Sequence, residues 1–371
     1  MSGPMIIFLV IATGYLTGAI KVRGFSLGSS GVLLAALLFG HLGYRIPEEI
    51  KETGLVMFVA SVGIIAGNGF FRNIKKSSLS YLIIGFVTIL IGALVCMAVI
   101  IWFDVPTPLA AGIMTGALTS TPGLAAAVEA AGDPAASVGY GIAYPFGVIG
   151  VVIFVQLMQR FTGEKKKEDN LNMEGIQDSV LKHCGKRIEI EKNGIFALAL
   201  AITTGIVIGG ISLPLPGDGS FSLGNSGGPL LTGLLAGHFG HIWKIDMSYE
   251  KKTMELIREL GMILFLTGAG LDAGNGFSEI IRENGIRLLL FGALITLIPM
   301  LISYIMARKL LRMNISSSLG AICGGMTSTP ALGVLLNDSE NGETVTEAYA
   351  MTYPVALICV ILWCQIIAFL F

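Results

Sequence analysis

The amino-acid sequence predicts an all-α polytopic membrane protein made of two related halves. Of its 371 residues, 53% are hydrophobic and 13% are charged, whereas a soluble domain carries about 25% charged residues. Apolar blocks of about 16–25 residues recur along the whole chain and are long enough to cross a bilayer as helices. These apolar blocks predict that the chain lies in the lipid bilayer. The net charge of −1 gives no indication of nucleic-acid binding.

The chain repeats itself in order. Five short segments of the first half return about 200 residues later, which indicates an internal duplication. We therefore predict a first repeat at 1–161, a linker at 162–192 and a second repeat at 193–371. The paired segments are "GFSLGSSG" (24–31) with "SFSLGNSG" (220–227), "FGHLG" (39–43) with "AGHFG" (236–240), "AGNGF" (66–70) with "AGNGF" (273–277), "LTSTP" (118–122) with "MTSTP" (326–330), and "YGIAYP" (140–145) with "YAMTYP" (349–354).

Each repeat contains five apolar blocks that we predict to span the membrane. The first block has no basic segment before it and no small-residue cleavage site, so we expect a spanning helix rather than a signal peptide. The predicted spans are 4–20, 30–43, 53–68, 79–103 and 138–160 in the first repeat, and 193–211, 226–241, 255–272, 285–307 and 348–370 in the second.

The blocks at 107–131 and 315–337, each built around the motif TSTP, are the remaining apolar segments. Each could cross the membrane once or form a re-entrant hairpin, whose arms of about ten residues would reach half-way. With hairpins, 20 of the 24 Lys and Arg residues lie on the cytoplasmic side, and a single crossing does less well. We therefore predict ten crossings, both termini outside, a cytoplasmic linker, and two inverted repeats whose hairpins enter from opposite sides and meet at their tips.

The hairpin tips carry the strongest candidate site. Each tip has Thr-Ser-Thr before a proline, which suits the first turn of a helix because it has no N–H to lose. The following amides are expected to be unpaired, and facing helix N-termini lined by hydroxyls suit carboxylates. The alternative is that these small polar residues only hold helices together. The predicted substrate-binding residues are Thr119, Ser120, Thr121, Pro122, Gly123, Thr327, Ser328, Thr329, Pro330 and Ala331.

Matched residues elsewhere in the repeats are weaker candidates for a substrate or ion path. Asn68 and Asn275 occupy equivalent GNG turns, where the amide faces the site or simply ends a helix. Tyr144 and Tyr353 each precede a proline. Their hydroxyls line the route, or the residues anchor and kink a helix.

Three charged residues complete the candidates. Asp272 lies in an apolar context, where an acid is functional by default, although its place near a helix end also fits an interfacial position. Arg72 either opposes an anionic substrate or is a cytoplasmic charge that sets topology. Glu129, at the end of the first hairpin, is expected to be solvated.

The motifs together resemble a known family. "TSTPGLAAA" with "GYGIAYPFGVIG", and "MTSTPALG" with "AYAMTYP", are similar to the aspartate:alanine exchanger family, bacterial inner-membrane carriers whose permease domain occurs twice. The resemblance covers nearly all of 4–370. It implies homodimers that exchange small carboxylates, substrate binding at 119–122 and 327–330, and a match of Arg72 to a basic residue near the family's GFFR stretch. Family members often carry globular domains between the halves, so this chain resembles a compact form without them.

The predicted function is a secondary transporter that exchanges small carboxylate-bearing solutes, such as aspartate and alanine or a dicarboxylate, across the bacterial inner membrane. Analogy with inverted-repeat carriers implies elevator-type alternating access, with the hairpins moving against a scaffold. A sodium- or proton-coupled carrier of an organic anion, using Asp272, and a non-cycling channel remain alternatives. No enzyme is predicted, since the HExxH motif of zinc hydrolases is missing from the sequence. No cofactor or metal centre is predicted, because the cysteines have no CxxC spacing and histidines are few, but a coupling ion such as Na+ stays open.

Overall fold

The computed structural model describes residues 3–19, 31–70, 79–162, 188–214, 220–242, 245–274, 277–338 and 342–371. Within these ranges the chain folds into fourteen α-helices and five strands of two residues each. Most of the predicted linker, at 163–187, lies outside the described residues. The fold is thus all-α, as the composition predicts.

The first repeat contributes α1 to α7. The helices are α1 (Gly3–Gly18), α2 (Gly31–His41), α3 (Glu48–Phe70), α4 (Leu79–Phe103), α5 (Thr107–Ala117), α6 (Thr121–Ala131) and α7 (Ala135–Thr162). A glycine in the left-handed conformation, Gly132 with φ 60°, ends α6, as is common at helix C-termini.

The second repeat contributes α8 to α14. The helices are α8 (Ile195–Gly209), α9 (Gly224–Phe239), α10 (Lys251–Ala273), α11 (Phe277–Ile305, continued by a π-helical turn at Met306–Leu310), α12 (Ile315–Gly325), α13 (Thr329–Asp338) and α14 (Gly342–Leu370). The strands are β1 (Ile188–Glu189), β2 (Leu213–Pro214), β3 (Ser220–Phe221), β4 (His241–Ile242) and β5 (Ile245–Asp246). β2 pairs with β3, and β5 pairs with both β1 and β4.

A helix occupies every predicted span. Among the described residues, five helices are long and apolar enough to cross a membrane, within α3, α4, α7, α11 and α14, and α4 has the predicted bounds. Shorter apolar helices include α1, α2 and α8. The polytopic helical class is therefore confirmed, while the number of crossings and their direction stay predictions.

The two TSTP blocks form pairs of short helices. α5, α6 and α12 have 11 residues and α13 has 10. At 1.5 Å per residue each arm is about 16 Å long, roughly half a bilayer. The breaks fall at 118–120 and 326–328, directly before the prolines.

The helices pack in two groups, each drawing on both repeats. One group, here called the scaffold, contains α1–α3 and α8–α10. The other, here called the core group, contains α4–α7 and α11–α14 and therefore both hairpins. Contacts within each group are far more extensive than those between the groups.

Contacts between the two repeats are reciprocal: a contact from the first repeat to the second has an equivalent from the second repeat to the first. A Cβ on Gly54 in α3 would lie 2.6 Å from the amide of Phe265 in α10, and a Cβ on Gly261 in α10 would lie 2.6 Å from the amide of Phe58 in α3. Gly54 corresponds to Gly261 and Phe58 to Phe265 in the repeat. The duplicated sequence thus forms two equivalent structures that contact each other reciprocally, with glycines where the backbones cross most closely.

Candidate functional site

Both hairpin tips bend through the same backbone turn. After α5, the amide of Thr119 bonds the carbonyl of Gly116 at 2.9 Å, and that of Ser120 bonds Thr115 at 2.8 Å. The second tip repeats these bonds at 3.0 and 2.9 Å. This is the Schellman arrangement, which usually places glycine in the left-handed conformation. Here Thr119 (φ 55°) and Thr327 (φ 49°) adopt it, a strained choice for a β-branched residue.

The two strained threonines join the tips to each other. The hydroxyl of Thr119 donates to the carbonyl of Met326 at 2.7 Å, and the hydroxyl of Thr327 donates to the carbonyl of Leu118 at 3.1 Å. Leu118 and Met326 are the C-terminal caps of α5 and α12, so each bond satisfies a carbonyl that a helix end leaves unpaired. Both threonines are buried. The predicted meeting of the tips is therefore present, and two of the predicted binding hydroxyls are used to form it.

The second arms of the hairpins begin differently. The hydroxyl of Ser120 caps α6 by accepting the amide of Gly123 at 3.1 Å, so this amide, expected to be unpaired, has a partner. Ser328 holds the same place before α13, but its fully buried hydroxyl makes no hydrogen bond to any residue that the structure describes. Buried polar groups without partners are rare and costly. The second tip is therefore incompletely satisfied by the protein itself.

A matched threonine–tyrosine contact lies beside each tip. The hydroxyls of Thr121 and Tyr140 are 3.0 Å apart, and those of Thr329 and Tyr349 are 3.3 Å apart. The predicted tyrosines stack on these partners, with ring centroids 5.1 Å apart for Tyr140–Tyr144 and 5.3 Å for Tyr349–Tyr353. The structure thus brings the predicted tyrosines together with the predicted tip residues in both halves.

The two tips differ in how accessible they are. Pro122 and Ala125 in α6 are buried, whereas Thr329 and Pro330 in α13 are exposed. A Cβ on Gly333, which corresponds to Ala125, would meet nothing within 4 Å. The cause is packing: α6 contacts scaffold helices α3, α9 and α10, while α13 packs on core helices α7, α12 and α14. The first hairpin is therefore closed against the scaffold, and the second is open.

Glu129 fastens the first hairpin to the scaffold. Its carboxylate accepts the backbone amides of Asn225 and Ser226, the latter at 2.8 Å. These amides belong to the first turn of α9, where a negative charge is favourable. The side chain is half-buried, because the start of α9 lies against α6, and its bonds to α9 are a role that the sequence does not predict. Gly224 has φ 65°, and a Cβ there would lie 2.5 Å from the carboxylate, so glycine permits this approach.

A cavity of about 250 Å³ adjoins this contact, between α6 and scaffold helices α3 and α10. The predicted residue Asp272 lines it and pairs with Lys51, whose Nζ is 2.7 Å from the carboxylate. Glu48 approaches the same Nζ at 3.4 Å. Lys51 was not among the sequence-derived candidates. The alignment of "KETG" (51–54) with "RELG" (258–261) is the signal that could have identified it.

The remaining sequence-derived candidates are not placed by the structure. Arg72 and Asn275 lie outside the described residues. Asn68 belongs to α3, but its side chain also lies outside what is described. Their proposed roles stay predictions, and the site rests on the hairpin tips, the tyrosines, Glu129 and Asp272.

Comparison with known proteins supplies the general class. The chain matches the family model Asp-Al_Ex, described as "Predicted Permease Membrane Region", twice, over residues 6–160 and 197–369. The two matches lie on either side of the polar segment that joins the repeats. Together they cover most of the chain.

Relatives named as transporters align over nearly the full chain. Uncharacterized transporters of Bacteroides fragilis (strain YCH46) and Bacteroides thetaiotaomicron are 29% and 28% identical, over 98% of this chain and 97% of theirs. One from Rhodopirellula baltica is 28% identical over 97% of this chain and 98% of its own. The first alignment extends over 517 positions, beyond the 371 residues here, so that relative contains segments that this chain lacks. The names and the family model indicate a transporter and not an enzyme, and the chain belongs to the Asp-Al_Ex family of permease membrane regions.

Proposed function

We propose that this protein is a secondary transporter that exchanges small carboxylate-bearing solutes across the bacterial inner membrane, an amino acid such as aspartate or alanine, or a dicarboxylate. The permease family and the transporter relatives support the general class. The choice of a carboxylate rests on the chemistry of the hairpin tips. Inverted repeats and elevator-type movement belong to the same proposal.

The crossed hairpin tips are the observation that carries the proposal. The interruption between α5 and α6 meets the interruption between α12 and α13 through the Thr119 and Thr327 hydroxyls. A new helix begins directly after each interruption. A helix N-terminus concentrates partial positive charge and amide donors, which suit an anion. In a bilayer such irregular backbone is tolerated where it lines a cavity, and transporters bind solutes at discontinuous helices of this kind.

The second tip is the better candidate for substrate entry in this conformation. Ser328 has a buried hydroxyl without a hydrogen-bond partner in the described part of the chain, while Thr329 and Pro330 beside it are exposed. A carboxylate at the start of α13 could accept from both hydroxyls and from the helix amides. At the first tip the equivalent serine already caps its own helix. The protein thus offers unfilled donors at one tip.

The two helix groups support movement of the elevator type. Both hairpins belong to the core group, and the limited contact with the scaffold includes the Glu129 carboxylate at the start of α9. If the core group slides along the scaffold, closure of the second hairpin would accompany release of the first. With the topology predicted from charge, the open hairpin faces the cytoplasm, so this conformation would be open to the inside.

Counterflow in proteoliposomes tests the proposal. Purified protein is reconstituted with unlabelled aspartate, alanine or succinate inside, and uptake of the labelled solute is measured. We expect saturable uptake that internal solute stimulates. Thr329→Val removes an exposed tip hydroxyl with little change in volume, and it should raise KM about 5- to 10-fold.

The matched control is Thr203→Val on α8, because the exposed Thr203 bonds only its own helix, at Ala199. This variant should exchange like the wild type. An unchanged KM for Thr329→Val would remove the second tip from the binding site. Flux without counterflow would indicate a channel, and a strict need for a sodium or pH gradient would indicate a coupled carrier.

A further inference from the structure

Lys51 and Arg258 hold the same place in the two repeats. Each lies one helical turn before the glycine at which α3 and α10 cross, Gly54 or Gly261. Because the contacts at this crossing are repeated with the halves exchanged, the two basic side chains are equivalent positions on the scaffold. Lys51 therefore lies on the side of the first hairpin, and Arg258 lies on the side of the second hairpin.

Lys51 lines the cavity on the side of the closed first hairpin. Its side chain is 18% exposed, and its Nζ forms the 2.7 Å ion pair with Asp272. Ala125 and Glu129 of α6 line the same cavity. A half-buried ammonium requires a partner, since an isolated buried charge is strongly unfavourable. Asp272 supplies that carboxylate from within the protein.

Arg258 is in the opposite situation, on the side of the open second hairpin. It is exposed, and no ion pair involves it among the described residues. The position that corresponds to Asp272 is Ile65 in α3, so the first repeat supplies Arg258 with no carboxylate equivalent to the one that Asp272 supplies to Lys51. Lys51 lies beside the first hairpin, in the cavity that Ala125 and Glu129 line, so the equivalent Arg258 belongs beside the second hairpin, where Thr329 is exposed. Arg258 is thus an exposed cation on the side of the open hairpin, and it forms no ion pair with the residues that the structure describes.

We propose that Lys51 and Arg258 are matched carboxylate-binding positions, one on each access route, and that the transported anion contacts Arg258 on the side of the second hairpin. Asp272 acts as an internal substitute that occupies Lys51 while the first hairpin is closed. This inference rests on the proposed transport of carboxylates. Arginine fits it because its planar guanidinium binds a carboxylate through two parallel hydrogen bonds.

The test measures exchange from each side separately. Arg258→Gln, Arg258→Lys and the wild type are reconstituted, and the KM for aspartate and for succinate is determined at each face of the vesicle. Oriented populations are obtained by blocking one face with an impermeant thiol reagent at an engineered cysteine. Lys252→Gln is the matched control, since Lys252 is an exposed cation on the same helix.

We expect Arg258→Gln to raise KM about 10-fold or more at one face only, as loss of a charged hydrogen bond would. Arg258→Lys should retain part of the affinity, and Lys252→Gln should behave like the wild type. A KM for Arg258→Gln within twofold of the wild type at both faces, with working exchange, would overturn the inference but not the proposed function. Failure of the wild type to exchange any carboxylate would overturn both.

A binding measurement tests the inference in a variant that folds but transports the solute slowly. Aspartate and succinate should raise the melting temperature of detergent-purified wild type and of Lys252→Gln, and the shift should be lost in Arg258→Gln. An equal shift in Arg258→Gln would overturn the inference, whatever the transport rate.

Discussion

Thr119 and Thr327 each donate a hydroxyl hydrogen bond to the carbonyl that precedes the other, Thr119 to Met326 at 2.7 Å and Thr327 to Leu118 at 3.1 Å. Both residues adopt the left-handed backbone conformation that places their hydroxyls in the opposite tip. Glycine would adopt this conformation without strain, but it has no hydroxyl to donate. The strained threonines therefore hold the two hairpins together at their tips, where the helix of each hairpin is interrupted.

Loss of either cross-tip bond should destabilise the protein. Thr119→Val or Thr327→Val leaves a buried carbonyl without its donor, which costs about 1–3 kcal/mol. The free energy of unfolding in detergent measures this effect, with Thr203→Val as the control. A loss in either tip variant no larger than that of the control would show that the hydroxyls do not hold the tips together.

The two serines at the tips should respond in opposite ways to alanine. Ser120→Ala removes a helix N-cap and should cost about 1 kcal/mol, because the amide of Gly123 loses its acceptor. Ser328→Ala removes a buried hydroxyl that has no partner among the described residues, so stability without solute should be unchanged or higher by about 1 kcal/mol. Thermal unfolding with and without aspartate measures both effects.

The solute-bound condition gives the decisive comparison for the serines. Ser328→Ala should lose part of the stabilisation by aspartate, and Ser120→Ala should keep it. Equal losses of stability for both variants without solute would contradict the difference between the two tips.

Glu129→Gln should release the first hairpin from the scaffold. The neutral amide loses the attraction of the carboxylate for the start of α9, an effect of about 0.5–2 kcal/mol in partly buried sites. A cysteine at buried position 125 should then react with a thiol reagent about 3- to 10-fold faster, in a protein without its native cysteines. Asp133→Asn, an exposed change at the same end of the hairpin, should leave the rate unchanged. A rate for Glu129→Gln equal to that of this control would mean that the carboxylate does not hold the hairpin closed.

The Lys51–Asp272 pair should show strong coupling. Lys51→Gln and Asp272→Asn each leave one charge in a half-buried setting and should cost about 1–3 kcal/mol. The double variant should cost less than the sum of the two, by about 1 kcal/mol or more. A double-mutant cycle on unfolding in detergent measures this difference, and simple additivity would show that the pair contributes nothing specific.

Much of this architecture is readable from the sequence, because bilayer spans and repeats leave strong patterns. The bounds of α4 and the breaks at both TSTP motifs follow from apolar length and proline placement. The hydrogen bond from Thr119 to Met326 joins residues far apart in the chain, so no local pattern encodes it. The bonds of Glu129 escape prediction for a related reason: its partners Asn225 and Ser226 come from the other repeat.

The difference between the tips could not be predicted either. Ser120 and Ser328 stand in identical TSTP motifs, yet only Ser120 caps its helix. Repeats with equivalent sequences give equivalent expectations, whereas a single conformation of the molecule places the two hairpins in different surroundings. The asymmetry between α6 and α13 is therefore a property of the conformation and not of the motif.

The central claim is that the two hairpins approach each other from opposite sides of the membrane. The direct measurement is the labelling of single cysteines at positions 133 and 342, at the outer ends of the hairpins, by a membrane-impermeant reagent added to intact cells and to inverted vesicles. We expect position 133 to react only from outside and position 342 only from the cytoplasmic side. Labelling of both positions from the same side would contradict it.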